Sequence, residues 1–178
     1  MLYLDEEPTA VWIVDTSPFV GLAKIGRLNL LTAPTRQVWI ADIVEQEVLA
    51  GRNADLAQDA LQQEWDIHAQ LGFVRVAAPF LPPTLAALSL DAGEAAVLAL
   101  ALNRPGSIVI MDDSEGRAAA HTLGVSVVGT VGILLQAKKE GRLERIAPVL
   151  RDLQTVGLFL PREGSLATLM TSIGETWS

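Results

Sequence analysis

Strands alternating with helices predict a three-layer α/β/α protein, a parallel sheet covered by helices on both faces. Three observations carry that prediction. Short apolar runs recur at residues 11–14, 38–40, 73–76, 107–111 and 125–128; they are continuous rather than alternating, as strands buried on both faces require. Between them lie longer stretches with helical spacing or helix-capping signals. Two of the runs, 11–14 and 107–111, lead straight into aspartate, at Asp15 and at the Asp112–Asp113 pair. Right-handed crossovers then leave few topologies.

Taken in order, Val11-Trp-Ile-Val14 reads as a buried strand ending at Asp15. Ser17-Pro18 supplies an N-cap followed by proline at the first helical position, and residues 19–31 read as helix with a break at Gly26. Strand 38–40 precedes a helix over 42–50 closed by Gly51. Leu56, Ala60, Leu61, Ile67 and Leu71 predict a helix over 55–71, ended by Gly72 before strand 73–76. Pro79, Pro82 and Pro83 mark a loop. Residues 91–102 form a helix apolar on most faces, hence buried. Residues 103–106 turn into strand 107–111, the clearest in the chain. A helix over 114–123 stops at Gly124, strand 125–128 follows, and Thr130 is placed to cap a helix over 131–139. Residues 143–153 read as helix, 156–160 as extended chain and 165–173 as a last helix. No repeat, low-complexity segment or interdomain linker interrupts the chain, which divides into an N-terminal extension over 1–10 and one domain over 11–175.

Length and composition narrow the classes. A chain of 178 residues, half of them apolar, supports one domain with a full core and excludes a disordered one. The absence of cysteine removes disulfides, thiolate metal sites and cysteine nucleophiles together, and fits a cytoplasmic setting. The first eight residues are acidic where a secretory signal is basic. The most apolar stretch, 85–102, is interrupted by Asp91 and Glu94 and reads as a buried helix, so a soluble protein with no membrane partner is expected. A net charge of −8 argues against simple nucleic-acid binding through phosphates but is compatible with an enzyme whose acids gather cations. Lys138, Lys139, Arg142, Arg145 and Arg151 cluster in one stretch, which suits a phosphate-facing surface or, with Glu140 and Glu144 interleaved, an ordinary solvated helix face.

In an open parallel sheet, ligands sit beyond the carboxyl ends of the strands. If the strands ending at Asp15 and Asp112–Asp113 are neighbours, their carboxylates converge there. Glu47 and Glu94 lie early in helices facing the same edge. Packed carboxylates repel and raise one another's pKa unless cations are present. Oxygen-only ligands select Mg²⁺ or Mn²⁺, and two such ions about 4 Å apart can clamp both the attacking and leaving oxygens of a phosphodiester. Each acid also has an ordinary structural role open to it. Glu94 fits a capping box with Asp91, Glu47 is interchangeable with Glu45 or Asp42 on spacing, and one of Asp112 and Asp113 suits the N-cap of the helix that follows. Ser17 already serves as a cap near Asp15. His68 and His121 have no partner at metal-ligand spacing, Gly129-Thr-Val-Gly132 lacks the lysine of a phosphate loop, and no Gly-x-Ser-x-Gly is present.

Four segments in order resemble a PIN domain, the nuclease fold found in VapC-type toxins. Val14-Asp15-Thr-Ser-Pro18 is similar to the opening motif, Val44-Glu-Gln-Glu47-Val48 to the segment with the first glutamate, Leu90-Asp-Ala-Gly-Glu94-Ala95 to that with the third acid, and Ile110-Met-Asp-Asp-Ser-Glu-Gly-Arg117 to that with the fourth. Residues 129–141 and the tail over 153–175 also resemble one branch of that family. The resemblance implies five parallel strands in the order 3-2-1-4-5 and a catalytic set of Asp15, Glu47, Glu94 and Asp113. Its metal ligands would be Asp15, Glu94, Asp112 and Asp113, with Thr16, Ser17, Arg117 and Thr130 in support. It selects Glu47 over Glu45, while alignment by the strand end favours Asp112 and alignment by the following helix favours Asp113. It further implies Mg²⁺ or Mn²⁺, an RNA substrate, a small antitoxin partner and a homodimer. The expected activity is metal-dependent endoribonuclease; the alternative is a catalytically silent PIN-fold interaction module. A phosphoryl-transfer domain is a third and weaker reading, since Asp15-Thr-Ser17 lacks the second acid of an Asp-x-Asp motif.

Overall fold

The computed structural model describes residues 10–50, 59, 72–158, 160–161 and 163–177, with only the backbone at Glu163. Five parallel strands form one sheet: β1 (Ala10–Val14), β2 (Arg36–Ala41), β3 (Phe73–Val76), β4 (Ile108–Ile110) and β5 (Ser126–Val128). Their order is β3-β2-β1-β4-β5, as the resemblance implied. β1 is central, pairing Ala10 with Arg36 on one side and Trp12 with Ile108 on the other. Four of its five residues are buried, which is why its sequence does not alternate. The edge strand β5 is less covered.

The helices are α1 (Thr16–Lys24), α2 (Asp42–Ala50), α3 (Pro83–Ala86), α4 (Ala92–Asn103), α5 (Ser114–Thr122), α6 (Thr130–Lys139), α7 (Ala147–Thr155) and α8 (Glu163–Ser172), with a 3₁₀ turn at Leu28–Leu30. α4 packs against β1, β2, β4 and α2, and every residue from Gly93 to Ala101 is buried, so it has no polar face to show. Of the helix expected over 55–71 only Asp59, which is helical, is described; His68 and the stop at Gly51 lie outside the described residues. Among those described, no helix is long and apolar enough to cross a membrane.

Several boundaries differ from expectation, each for a physical reason. α1 starts at Thr16 with Asp15 in the N-cap position, so Ser17 is not the cap and Pro18 is the third helical residue, still within the turn whose N–H groups lack helical partners. Pro83 opens the short helix α3 rather than continuing a loop, as proline's fixed φ allows in a first turn. Thr130 is the first residue of α6 with Gly129 as N-cap, because its hydroxyl is used elsewhere. α7 begins at Ala147, not 143. Its start is set from 28 residues downstream: the buried Glu175 carboxylate accepts the N–H groups of Ile146 and Ala147 at 2.9 Å and pairs with Lys138. Where extended chain was expected from residue 156, Val156 and Gly157 form a turn, with Gly157 at φ +96°.

Arg36 in β2 is 7% exposed, lies 3.5 Å over the Trp12 ring, pairs with Glu140 at 2.6 Å and donates to the Leu31 carbonyl. Burial pulls its pKa down, while the Glu140 carboxylate holds the charged form. Pairing and stacking together make that burial tolerable.

Candidate active site

The order of strands reverses between β1 and β4, and it is at this switch point that the two aspartate-bearing strand ends meet. The Asp15 N–H donates to the Ile110 carbonyl at 2.9 Å, which ties the two ends together. Beyond them opens a cavity of about 1140 Å³ lined by six carboxylates: Asp15, Glu47, Asp91, Glu94, Asp112 and Asp113. Every acid predicted for the site is there, together with Thr16, Ser17 and Arg117.

Asp15 is 6% exposed. Burial, aided by the charges of Asp91, Glu94 and Glu47 and opposed by the Thr16 backbone N–H, pushes its pKa from 3.8 up to about 7. Glu94 is also raised, first by burial and then by Asp91 and Asp113, against the hydrogen bond from the Asp91 backbone. Both acids are therefore uncomfortable as bare anions. A cation would relieve that cost.

Glu47, the acid with the weakest case from spacing, has the most definite place. It accepts the Thr16 hydroxyl on one oxygen and the Gly93 N–H at 3.0 Å on the other. A Cβ at Gly93 would lie 2.5 Å from Glu47 Oε2, so only glycine lets this carboxylate approach the start of α4 so closely. The alternatives are occupied elsewhere: Glu45 pairs with Arg75 at 2.7 Å, and Asp42 accepts from Ile43 and Ala78 N–H, each at 2.9 Å.

Glu94 makes its capping box with Asp91 in full: Asp91 Oδ1 accepts the Glu94 N–H at 2.8 Å and Glu94 Oε2 accepts the Asp91 N–H at 3.1 Å. Capping and site are not exclusive, since the same carboxylate lines the cavity. Asp113 caps α5, its Oδ1 accepting from Glu115 at 2.8 Å and Gly116 at 2.9 Å. Asp112 is held by Thr130, from the N–H at 2.7 Å and the hydroxyl at 2.6 Å. Arg117 donates to the Met111 carbonyl at 3.2 Å. A Cβ at Gly129 would come within 2.9 Å of both the Arg117 guanidinium and Asp112 Oδ1, so this N-cap glycine makes room for both.

Three features escaped the sequence. Asp91 was legible as a cap but not as a cavity carboxylate. Lys24, in the last turn of α1, joins the expected Arg117 as a basic side chain lining the cavity. The C-terminal segment around Leu158 closes one wall. Conversely, much of the basic stretch serves structure rather than a phosphate-facing surface: Lys138 pairs with Glu175, Arg142 pairs with Glu140 and donates to carbonyls of Asn29 and Leu30, and Arg151 lies over Trp177. Clusters of charge in sequence do not reveal which charges face one another across the fold.

The donor set fits a hard divalent cation: oxygen only, several acids, two of them buried. Among the described residues, however, no three His, Cys, Asp or Glu side chains already stand as a ligand set for one ion. Fold and site thus define an α/β domain with an acid-lined cavity at its topological switch point. A family model described as DUF3368, PIN domain, matches residues 11–175, and the chain belongs to that family, whose fold is that of nucleases and whose nucleases generally use divalent metals. Among solved structures, a PilT N-terminus domain protein from the hyperthermophilic archaeon Sulfolobus solfataricus P2 is similar at 19% identity over 71% of this chain and 92% of its own, with a TM-score of 0.49. The PIN domain endonuclease Utp24 is similar at 15% identity over 70% and 88%, with a TM-score of 0.47. No curated protein gives a significant match.

Proposed function

We propose that this protein is a Mg²⁺- or Mn²⁺-dependent endoribonuclease, the toxin of a toxin–antitoxin pair acting in the cytoplasm. The observation that carries the nuclease reading is the convergence of six carboxylates on one cavity where β1 and β4 end, with Asp15 buried among them. Asp15, Glu94, Asp112 and Asp113 would hold the ions, with Glu47 beside them. When bound, Mg²⁺ or Mn²⁺ supplies Lewis-acid polarisation of a phosphodiester and activation of water. The chain's own residues do the positioning. Thr16 and Gly93 hold Glu47 from two sides, Thr130 holds Asp112 from two sides, and the α5 N-terminus holds Asp113. Carboxylates held in this way lose little freedom when ligands bind, which is how supporting hydrogen bonds tune a metal site. Lys24 and Arg117 supply positive charge for a phosphate in an otherwise acidic cavity.

The toxin role, a small antitoxin partner and a homodimer rest on the resemblance of residues 90–95 and 110–117 to the VapC-type branch. The test is RNA cleavage with Mg²⁺ or Mn²⁺ that disappears with EDTA and in Asp15→Asn; metal-independent cleavage unchanged by that substitution would overturn the reading. Growth arrest on expression, relieved by Asp15→Asn and by the product of an adjoining gene, tests the toxin role. A second reading, a silent interaction module, is favoured by the net charge of −8 and by the absence of a ready ligand trio among the described residues. Failure of the intact protein to bind Mn²⁺ in calorimetry would select it.

A further inference from the structure

We infer that the apolar wall of the cavity is a nucleobase subsite, which receives an unpaired base adjoining the phosphate held at the acids; the inference rests on the nuclease reading. The cavity, at about 1140 Å³, is larger than a carboxylate cage for ions requires and matches the scale of pockets that enclose an organic ligand. Its acids come from the ends of β1 and β4 and from α2 and α4. Beside the polar Thr16, Ser17, Lys24, Ser114 and Arg117, an apolar part of the lining comes from elsewhere: Val20 of α1, Val131 of α6, and Val156, Leu158 and Leu160 of the C-terminal segment. Each of these five is only partly buried, so the wall is unfinished.

The wall is also built. Gly157 at φ +96° turns the chain back after α7, and the Leu158 N–H closes that turn on the Leu153 carbonyl at 3.0 Å. A Cβ at Gly21 would touch Leu153 at 3.4 Å and Leu158 at 3.9 Å, so the segment is seated directly on the backbone of α1. Glu175 anchors the other end of α7.

The occupant follows from what adjoins the wall. Acids suited to cations line the same cavity, and Lys24 and Arg117 offer charge to a phosphate. A group tethered to that phosphate and presenting flat apolar faces is a nucleobase. Aliphatic contacts serve a base extruded from a stack. The five side chains carry no hydrogen-bonding group, so the wall takes a base without reading its identity. It also selects single strands, since a stacked and paired base cannot enter.

The experiment compares binding of a short single-stranded RNA with binding of the same oligonucleotide carrying one abasic residue, scanned along its length. Fluorescence anisotropy is measured in Ca²⁺, an oxygen-seeking ion, and cleavage in Mn²⁺ is measured separately. One abasic position should weaken binding by about tenfold, whichever base it replaces, the scale of one lost base contact. Leu158→Ala and Val131→Ala should each shrink that difference while leaving Mn²⁺ binding unchanged, which also shows that the variants fold. Equal binding of every abasic oligonucleotide overturns the subsite even if the protein cleaves RNA. Base-dependent binding without cleavage upholds the subsite and overturns the nuclease. Neither binding nor cleavage overturns both.

Discussion

Gly93→Ala separates the stability of this protein from the geometry of its site. Gly93 is the second residue of α4, and the left-handed conformation that favours glycine is not used there, so alanine is compatible with the backbone and improves helix propensity by up to about 1 kcal/mol. The three atoms nearest the added Cβ all belong to Glu47: Oε2 at 2.5 Å, Oε1 at 2.8 Å and Cδ at 2.9 Å. Ordinary contact begins near 3.4 Å, so the carboxylate must retreat by about 1 Å, which a flexible side chain does cheaply. The retreat breaks its bond from the Gly93 N–H and disturbs that from Thr16. Supporting bonds of this kind are worth about 10- to 100-fold in metal affinity or activity, and a 1 Å displacement at a reacting centre costs on the same scale. Gly93→Ala should therefore melt within a few degrees of the wild type yet bind Mn²⁺ and cleave RNA about 10- to 100-fold less well, and Glu47→Gln should do the same. Calorimetry, thermal denaturation and single-turnover cleavage together decide it. Wild-type metal affinity and cleavage in a folded Gly93→Ala would show that Glu47 has no part in the site.

Other outcomes follow from the same geometry. Because Asp15 must lose a proton to bind a cation, Mn²⁺ affinity should rise with pH until about 7 and then level; a flat profile between pH 5.5 and 8 would contradict this. In the metal-free protein the raised Asp15 pKa means that folding takes up a proton between about pH 4 and 7, so stability present below that window is lost as pH rises through 7. Asp15→Asn should accordingly stabilise the metal-free protein by a few kcal/mol at pH 8 and by little near pH 4; denaturant unfolding in EDTA reads the difference, and a variant weaker at pH 8 refutes it. Glu175→Ala leaves two buried N–H groups without their acceptor and Lys138 without its partner, and should cost about 2–4 kcal/mol in urea unfolding. Thr130→Val removes the hydroxyl bond to Asp112 but keeps the N–H bond, so metal affinity should fall by about tenfold and stability little; an unchanged affinity means Asp112 is not a ligand.

The sheet was legible because its signal is local. A strand buried on both faces must be apolar throughout, and that property survives being read one residue at a time, as in residues 11–14 and 107–111. The boundary errors share the opposite origin. Nothing near residue 143 says that a helix waits until Ala147, because the capping carboxylate is Glu175. Thr130 has the side chain of a cap and spends it on Asp112, across a gap of 18 residues. The four-part resemblance selected Glu47 from three acids in one helix, where spacing alone had no means to choose, and Glu47 is the one of the three that lines the cavity.

For the site, the sequence by itself determined the chemistry available: acids at the ends of buried strands, no thiolate, no histidine pair, and a glycine beside Glu94. Those are properties of residue type and of position along a strand or helix. Only the tertiary structure decided how each acid is held, that Asp91 joins them, that Lys138 and Arg142 are spent on internal pairs, and that an apolar wall completes the cavity. The physical reason is range. A hydrogen bond or a burial-driven pKa shift depends on atoms within a few ångströms, and for Asp15 the charges that raise its pKa come from Glu47, Asp91 and Glu94, all distant in the chain, while only the opposing Thr16 N–H is a sequence neighbour.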